Sequence, residues 1–335
     1  MITALLVGEK QPSILTLHRL SDQLGFAIEF FEGDDPPEPS EDGTSFRALT
    51  SMSAKKRDEA FAAASLGMML SGWLDQRFVL PEPDVPRYQG LDAETAAESL
   101  RSEWGLGELP IRNMIHTLEA HGVRVFSIPE ECVDIDAFSL RTDGQPYVFL
   151  NTRKSAEHSR MDAAHELGHL VMHWKGRARG RDAEHEAAQF GSAFLMPASS
   201  VLSQAPQAGS LQQIIAAKRT WGVSVAALTY RMHNLRMLTD WHYRTLFKQL
   251  SKRGYRSSEP GGMKPESSQV LAKVFASLRE EGLTKADVAR EITISETDLN
   301  EVIFGLVLTP VASTGQDGAS EGGAAPRRPD LRIVR

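Results

Sequence analysis

One cysteine occurs in 335 residues, so no disulfide can form within the chain and a cysteine-built metal site is excluded. That residue, Cys132, stands among Glu130, Glu131 and Asp134, which oppose a thiolate and leave it a structural or incidental role. Long apolar runs are missing as well, since none approaches the ~20 residues needed to span a bilayer. The segment Met1 to Lys10 has neither a basic n-region nor a small-residue cleavage site, so the expected compartment is the cytoplasm, with no membrane partner. Excess positive charge is absent too. A formal charge of -7 removes any general attraction to nucleic acid. What remains, 41% hydrophobic and 24% charged, is the composition of a globular chain long enough for two or three units.

Composition divides the chain into 1–35, 36–90, 91–255, 256–310 and 311–335. Residues 13–32 read as two short helices around Gly25, ending in the aromatic pair Phe30-Phe31. Gly33 to Gly43 is an acidic, proline-rich linker. Lys55 to Phe78 follows with helical apolar spacing at Phe61, Ala64, Leu66, Met69, Leu70 and Trp73, and Pro81, Pro83 and Pro86 end it. In 91–255 the pattern gives helices at about 92–104 and 110–121. Strands follow at Val123–Ile128, Ala137–Arg141 and Tyr147–Leu150, with Asp143-Gly144 as a turn. Helices at about 155–174, 182–196, 209–219 and 224–249 complete this part. Ser257 to Ser268 reads as a second linker, 268–306 as a small helical unit, and 311–335 as a disordered Gly/Ala/Pro-rich tail. The expected fold class is α+β: a mainly helical domain with a small antiparallel sheet, plus a C-terminal helical unit of helix-turn-helix type.

The helix over 155–174 contains His165-Glu166-Leu167-Gly168-His169. Residues four apart lie about 40° from each other on a helix, so the two imidazoles can grip one ion. Glu166 lies about 60° from His169 and flanks that ion without binding it. Two neutral imidazoles, an open position for water and a carboxylate to take its proton are what a hydrolytic zinc site requires. With 10 histidines in the chain, chance produces such a motif only about 0.02 times per chain. Leu167, Leu170, Val171 and Trp174 form an apolar stripe opposite the histidines, while Ala164 and Gly168 are small enough to admit a neighbouring backbone.

A third ligand is commonly a carboxylate from the next helix. Glu184 heads a stripe of Ala187, Ala188, Gly191 and Leu195, where a carboxylate is costly unless it meets a cation. Glu186 points toward the side of Phe190 and Ala193. Glu184 is therefore the expected ligand and Glu186 the alternative. His173 lies on the side of His165 but a turn too far for the same ion, so it is assigned to supporting a ligand or facing substrate. Asn151, at the end of the strand before this helix, joins it in that class. His158 and His185 are expected to be solvated. The strand Pro146 to Asn151 is expected to be an exposed edge that pairs with an extended peptide.

The segments AHELGHLVMH and EHEAAQFGSAFLMP resemble the ImmA/IrrE family of bacterial metallopeptidases, a gluzincin-like group. The resemblance extends upstream through LRSEWGLGELPIRNMIHTLEAHGVRVF and PYVFLN, and covers about residues 91–245. It implies that 91–255 is a metallopeptidase domain with His165, His169 and Glu184 as metal ligands and Glu166 as general base. It also implies Zn2+, with Mn2+ as the alternative. The implied partner is a protein substrate, a helix-turn-helix repressor cleaved in a stress or mobile-element response. The stretch between the metal helix and Glu184 is compact and basic here, with Lys175, Arg177, Arg179 and Arg181.

Residues 13–32 resemble the last helices of a Cro/C1-type DNA-binding domain. Its first helices are missing, so 1–35 is expected to be a partial remnant and DNA binding through it is doubtful. GLTKADVAREITISETDLNEVIFGL is also helix-turn-helix-like, with Thr284 and Ser295 as caps. Its Asp287, Glu291, Glu296, Asp298 and Glu301 make a poor phosphate-binding surface, which favours protein docking or packing. The competing function is a transcriptional regulator, or a toxin–antitoxin or phage-defence component, that keeps the peptidase fold as a sensor or scaffold. An intact Glu166 favours the active endopeptidase, because a scaffold needs no base.

Overall fold

The computed structural model describes residues 5, 9–39, 54–173, 180–207, 209–255, 258–307 and 332–333. Ser13 caps α1 (Ile14–Leu24) by accepting from the Thr16 amide, and Gly25, at φ 75°, turns the chain into α2 (Ile28–Glu32). The long α3 (Ala54–Arg77) runs into β1 (Phe78–Val79). Asp92 and Asn113 cap α4 (Ala93–Glu103) and α5 (Met114–Ala120). The sheet follows: β2 (Arg124–Ser127), β3 (Ala137–Thr142) and β4 (Gln145–Leu150). Then come α6 (Ala156–Met172), α7 (Arg181–Leu195), α8 (Ala198–Gln204), α9 (Leu211–Ala217), α10 (Val225–Asn234) and α11 (Asp240–Lys252). The C-terminal unit holds α12 (Gln269–Glu280), α13 (Lys285–Glu291) and α14 (Glu296–Val302), and β5 (Arg332–Ile333) pairs antiparallel with β1.

The fold is α+β and mainly helical, but the sheet is mixed. Its order is β2-β4-β3, with β2 parallel and β3 antiparallel to β4. The expectation that Pro146 to Asn151 forms an exposed edge is therefore wrong: β4 is the central strand, and β3 lies at the edge. Tyr147 to Leu150 are all buried, because helices cover both sheet faces. A continuous apolar run is what a strand covered on both sides carries. On one face Phe126, Phe138 and Phe149 pack together beneath α3. Gly67 makes that approach feasible, since a Cβ there would lie 2.7 Å from the Phe149 ring. On the other face Ser139 reaches α6. Asp143 and Gly144 form the expected turn between β3 and β4, both at positive φ.

Two other expectations change, and some fall on residues the structure does not describe. The helix expected over 224–249 is two helices, because Arg236 takes a left-handed φ of 61° and Thr239 caps a new start. Trp174, Lys175, Arg177 and Arg179 lie outside the described residues, as does the tail apart from 332–333. The described part of the second linker, residues 258–268, is a strap bound by buried charges. Glu259 accepts from Lys218 Nζ at 2.7 Å and from the Val225 amide at 2.9 Å. Lys218 also donates to Glu157 on α6, at 2.9 Å. Glu266 pairs with Arg160 of α6, and Ser268 donates to the buried Glu119. The C-terminal unit continues this packing. Glu301 accepts from Arg153 at 2.7 Å, and Glu291 accepts from Trp73 and Arg77. Two of the acids that made this unit a poor phosphate binder thus face the rest of the protein. Thr284 and Ser295 cap their helices as expected. Cys132 is buried, and burial with Glu59 and Glu131 pushes its thiol up to about 11.

Candidate metal centre

The site is built where α6 and α7 pack almost backbone to backbone. A Cβ on Gly191 would sit 3.0 Å from the His165 amide nitrogen and 3.1 Å from the Ala164 carbonyl carbon. Gly168 answers from α6, where a Cβ would meet Phe190 and the Ala187 backbone at 3.0–3.2 Å. Leu167, Leu170 and Val171 are buried on the opposite side of α6. The helix therefore holds its reactive face toward the first turns of α7. Ser155 fixes its start by accepting from the His158 amide.

His165, His169 and Glu184 come together there. The two Nε2 atoms are 3.1 Å apart, Glu184 Oε2 is 3.4 Å from His165 Nε2, and Glu184 Oε1 is 3.5 Å from His169 Nε2. Metal–nitrogen bonds of about 2.0–2.1 Å in a tetrahedral site put neighbouring ligand atoms about 3.3–3.4 Å apart. These three distances, two of them to different oxygens of Glu184, bracket that value, so the donor set fits one zinc-sized cation. Among the described residues, this is the one group of three or more such side chains whose ligand atoms lie within 4.8 Å of one another. Electrostatics agree. Burial opposes charge on Glu184, yet hydrogen bonds from both imidazoles hold it far below the usual carboxylate range. Burial likewise opposes a charged His165, but Glu184 and Glu166 outweigh it and raise its pKa. A site that holds a proton between these groups is ready to hold a cation instead.

Glu166 is 4% exposed, and its Oε2 accepts from Ser139 Oγ of β3 at 2.7 Å. Its carboxylate is thereby oriented from the sheet. Sequence spacing could not reveal Ser139, because the contact joins residues 27 apart. One turn N-terminal of the motif, Asp162 stands on the same side of α6, and burial pushes its carboxyl up to about 7. Its Oδ2 is buried without a hydrogen bond, with His158 Nε2 at 3.5 Å. A polar residue three positions before His165 was the available signal, and helical spacing alone gave it no distinct role.

The remaining candidates separate. Glu186 accepts from His173 Nε2 at 2.9 Å and is placed away from the ligand triangle. His173 Nδ1 lies 3.0 Å from His169 Nδ1. Asn151 is buried and bonded elsewhere: it donates to the carbonyls of Val133 and Ile135 and accepts from the Arg153 amide. His185 is exposed and the His158 side chain is half exposed. A cavity of about 1020 Å³ is lined by His185, Gln189, Ser192, Tyr230 and Arg231 among others, and by none of the ligand residues.

Two imidazoles one helical turn apart, a carboxylate from the following helix and a buried glutamate beside them are the groups that a mononuclear metallohydrolase site uses. Residues 118–233, roughly a third of the chain, match the family model Peptidase_M78, the IrrE N-terminal-like domain. The match opens in α5 and closes in α10, so it contains the whole triangle and Glu166. No curated protein matches the chain. Among the described residues no helix is long and apolar enough to cross a membrane.

Proposed function

We propose that the protein is a zinc-dependent endopeptidase that cleaves a helix-turn-helix transcriptional repressor in a stress or mobile-element response. The observation that carries the catalytic part is the His165–His169–Glu184 triangle with Glu166 oriented beside it. His165, His169 and Glu184 would hold a divalent metal, which would supply Lewis acidity and a more acidic water at neutral pH. Glu166 accepts the proton of the attacking water and delivers it to the departing amine nitrogen, while Ser139 holds one oxygen of its carboxylate. The edge strand β3 carries Ser139. An extended peptide adding to that edge runs past Glu166, taking its affinity from main-chain hydrogen bonds. The repressor as substrate rests on the likeness of residues 118–233 to that family model.

The test is Glu166→Gln, with metal content and cleavage measured on the same preparation. Near-stoichiometric zinc with cleavage lowered by about 10²-fold or more is expected, because only the base is removed. Cleavage close to wild type refutes Glu166 as base. Wild-type protein that binds zinc yet leaves every helix-turn-helix repressor encoded beside its gene intact refutes the substrate.

A further inference from the structure

We propose that His173 and Glu186 are positioning residues that fix the tautomer of His169, so that its Nε2 is free to ligate. The inference rests on reading His169 as a metal ligand.

Three groups form a line leading away from the triangle. His169 Nδ1 is 3.0 Å from His173 Nδ1, and His173 Nε2 is 2.9 Å from Glu186 Oε2. The His173 side chain is only 5% exposed, so water does not compete freely for its nitrogens. A neutral imidazole has one donor and one acceptor nitrogen, whereas a carboxylate only accepts. Glu186 therefore fixes the direction of the whole line. His173 must carry its proton on Nε2 to meet Glu186, which leaves its Nδ1 an acceptor. His169 must then carry its proton on Nδ1, which leaves Nε2 with its lone pair toward His165 and Glu184. Without Glu186, His173 is free to turn its Nδ1–H on His169. His169 then holds its proton on Nε2, the form in which that nitrogen has no lone pair to offer a metal.

The fold supplies each part from a different place. His173 caps the end of α6, one turn after His169, and its own amide bonds the His169 carbonyl. Glu186 stands on α7 two residues beyond Glu184, so one helix provides both the direct ligand and the far end of the line. A ligand imidazole commonly donates its second N–H to a carboxylate or carbonyl, and losing that partner costs about 10–100-fold in metal affinity. Here the carboxylate acts through an intervening imidazole.

Metal-free wild type, Glu186→Ala, Glu186→Gln and His173→Phe are to be compared by imidazole nitrogen NMR. Their zinc affinity is to be measured by competition with a chromogenic chelator, and their apo melting temperature recorded. Wild type is expected to hold His169 protonated on Nδ1. Glu186→Ala should mix the His169 tautomers and weaken zinc about 10–100-fold. Its melting temperature should barely change, because the Glu186 side chain is 47% exposed. His173→Phe should weaken zinc by a similar factor. Glu186→Gln, whose amide oxygen can still accept, should stay within a few-fold of wild type. Zinc affinity within twofold of wild type in Glu186→Ala, or an unchanged His169 tautomer, overturns the proposal whether or not His173→Phe folds. A wild type that takes up no zinc overturns the metal centre itself and the relay with it.

Discussion

Gly191→Ala tests whether the close packing of α6 on α7 is what assembles the triangle. A Cβ at that position lies 3.0–3.3 Å from backbone atoms of Ala164 and His165, and none of these can rotate aside. Ordinary contact begins near 3.4 Å, so the helices must part by about 0.4 Å at this level. Metal–ligand distances tolerate only about 0.2 Å. Glu184 sits on α7 two turns before Gly191 and moves with it, so zinc affinity should fall about tenfold or more. Stability has two opposing contributions. Alanine gains about 1 kcal/mol of helix propensity, while overpacking costs about 1–3 kcal/mol. The net is a loss of about 0–2 kcal/mol, or up to roughly 8 °C in melting temperature. Gly72→Ala in α3 is the control, since a Cβ there meets nothing within 4 Å. It should gain the propensity alone and leave zinc binding unchanged. The assay is a chelator titration beside a thermal melt. If Gly191→Ala binds zinc like wild type and melts higher, as Gly72→Ala should, close packing does not set the ligand geometry.

Glu184→Ala should lose zinc more severely than any change at Glu186, because it removes a side of the triangle; metal analysis giving the reverse order would place the ligand at Glu186. Asp162→Asn should flatten the acid side of the stability profile of the metal-free protein. Burial, aided by Glu166 and opposed by Lys154 and His165, raises its pKa from 3.8 to about 7. The stability it permits is therefore complete below about pH 4 and lost as pH climbs toward 7, a change of about 4 kcal/mol. Urea unfolding of both proteins at pH 5 and pH 8 measures this, and equal slopes would refute it. Glu266→Ala strands the buried Arg160 guanidinium and should destabilise by about 3–5 kcal/mol. A loss under about 1 kcal/mol in the same unfolding assay would mean that residues 258–268 do not strap α6.

The metal motif was legible in the sequence because its chemistry is local. Helical geometry alone puts His165 and His169 on one face with Glu166 beside them, and no tertiary contact is needed for that arrangement. The small residues Gly168 and Gly191 likewise announced a close helix pair, since only backbone contact calls for such residues in apolar stripes. Glu184 lay at the boundary of legibility. Spacing left both Glu184 and Glu186 open, and the way α7 docks sends one to the imidazoles of the triangle and the other to His173. Strand order was beyond reach, because an apolar run such as Tyr147 to Leu150 is equally compatible with a central strand and with a strand at a covered edge. Ser139 on Glu166, Glu266 on Arg160 and Glu259 on Lys218 join residues far apart in the chain, and a polar residue in a strand or linker gives no sign of such a partner. The sequence determined which side chains could do the chemistry, through periods of a few residues. Only the tertiary structure decided what holds them, because orientation, burial and charge pairing depend on segments that meet across the fold.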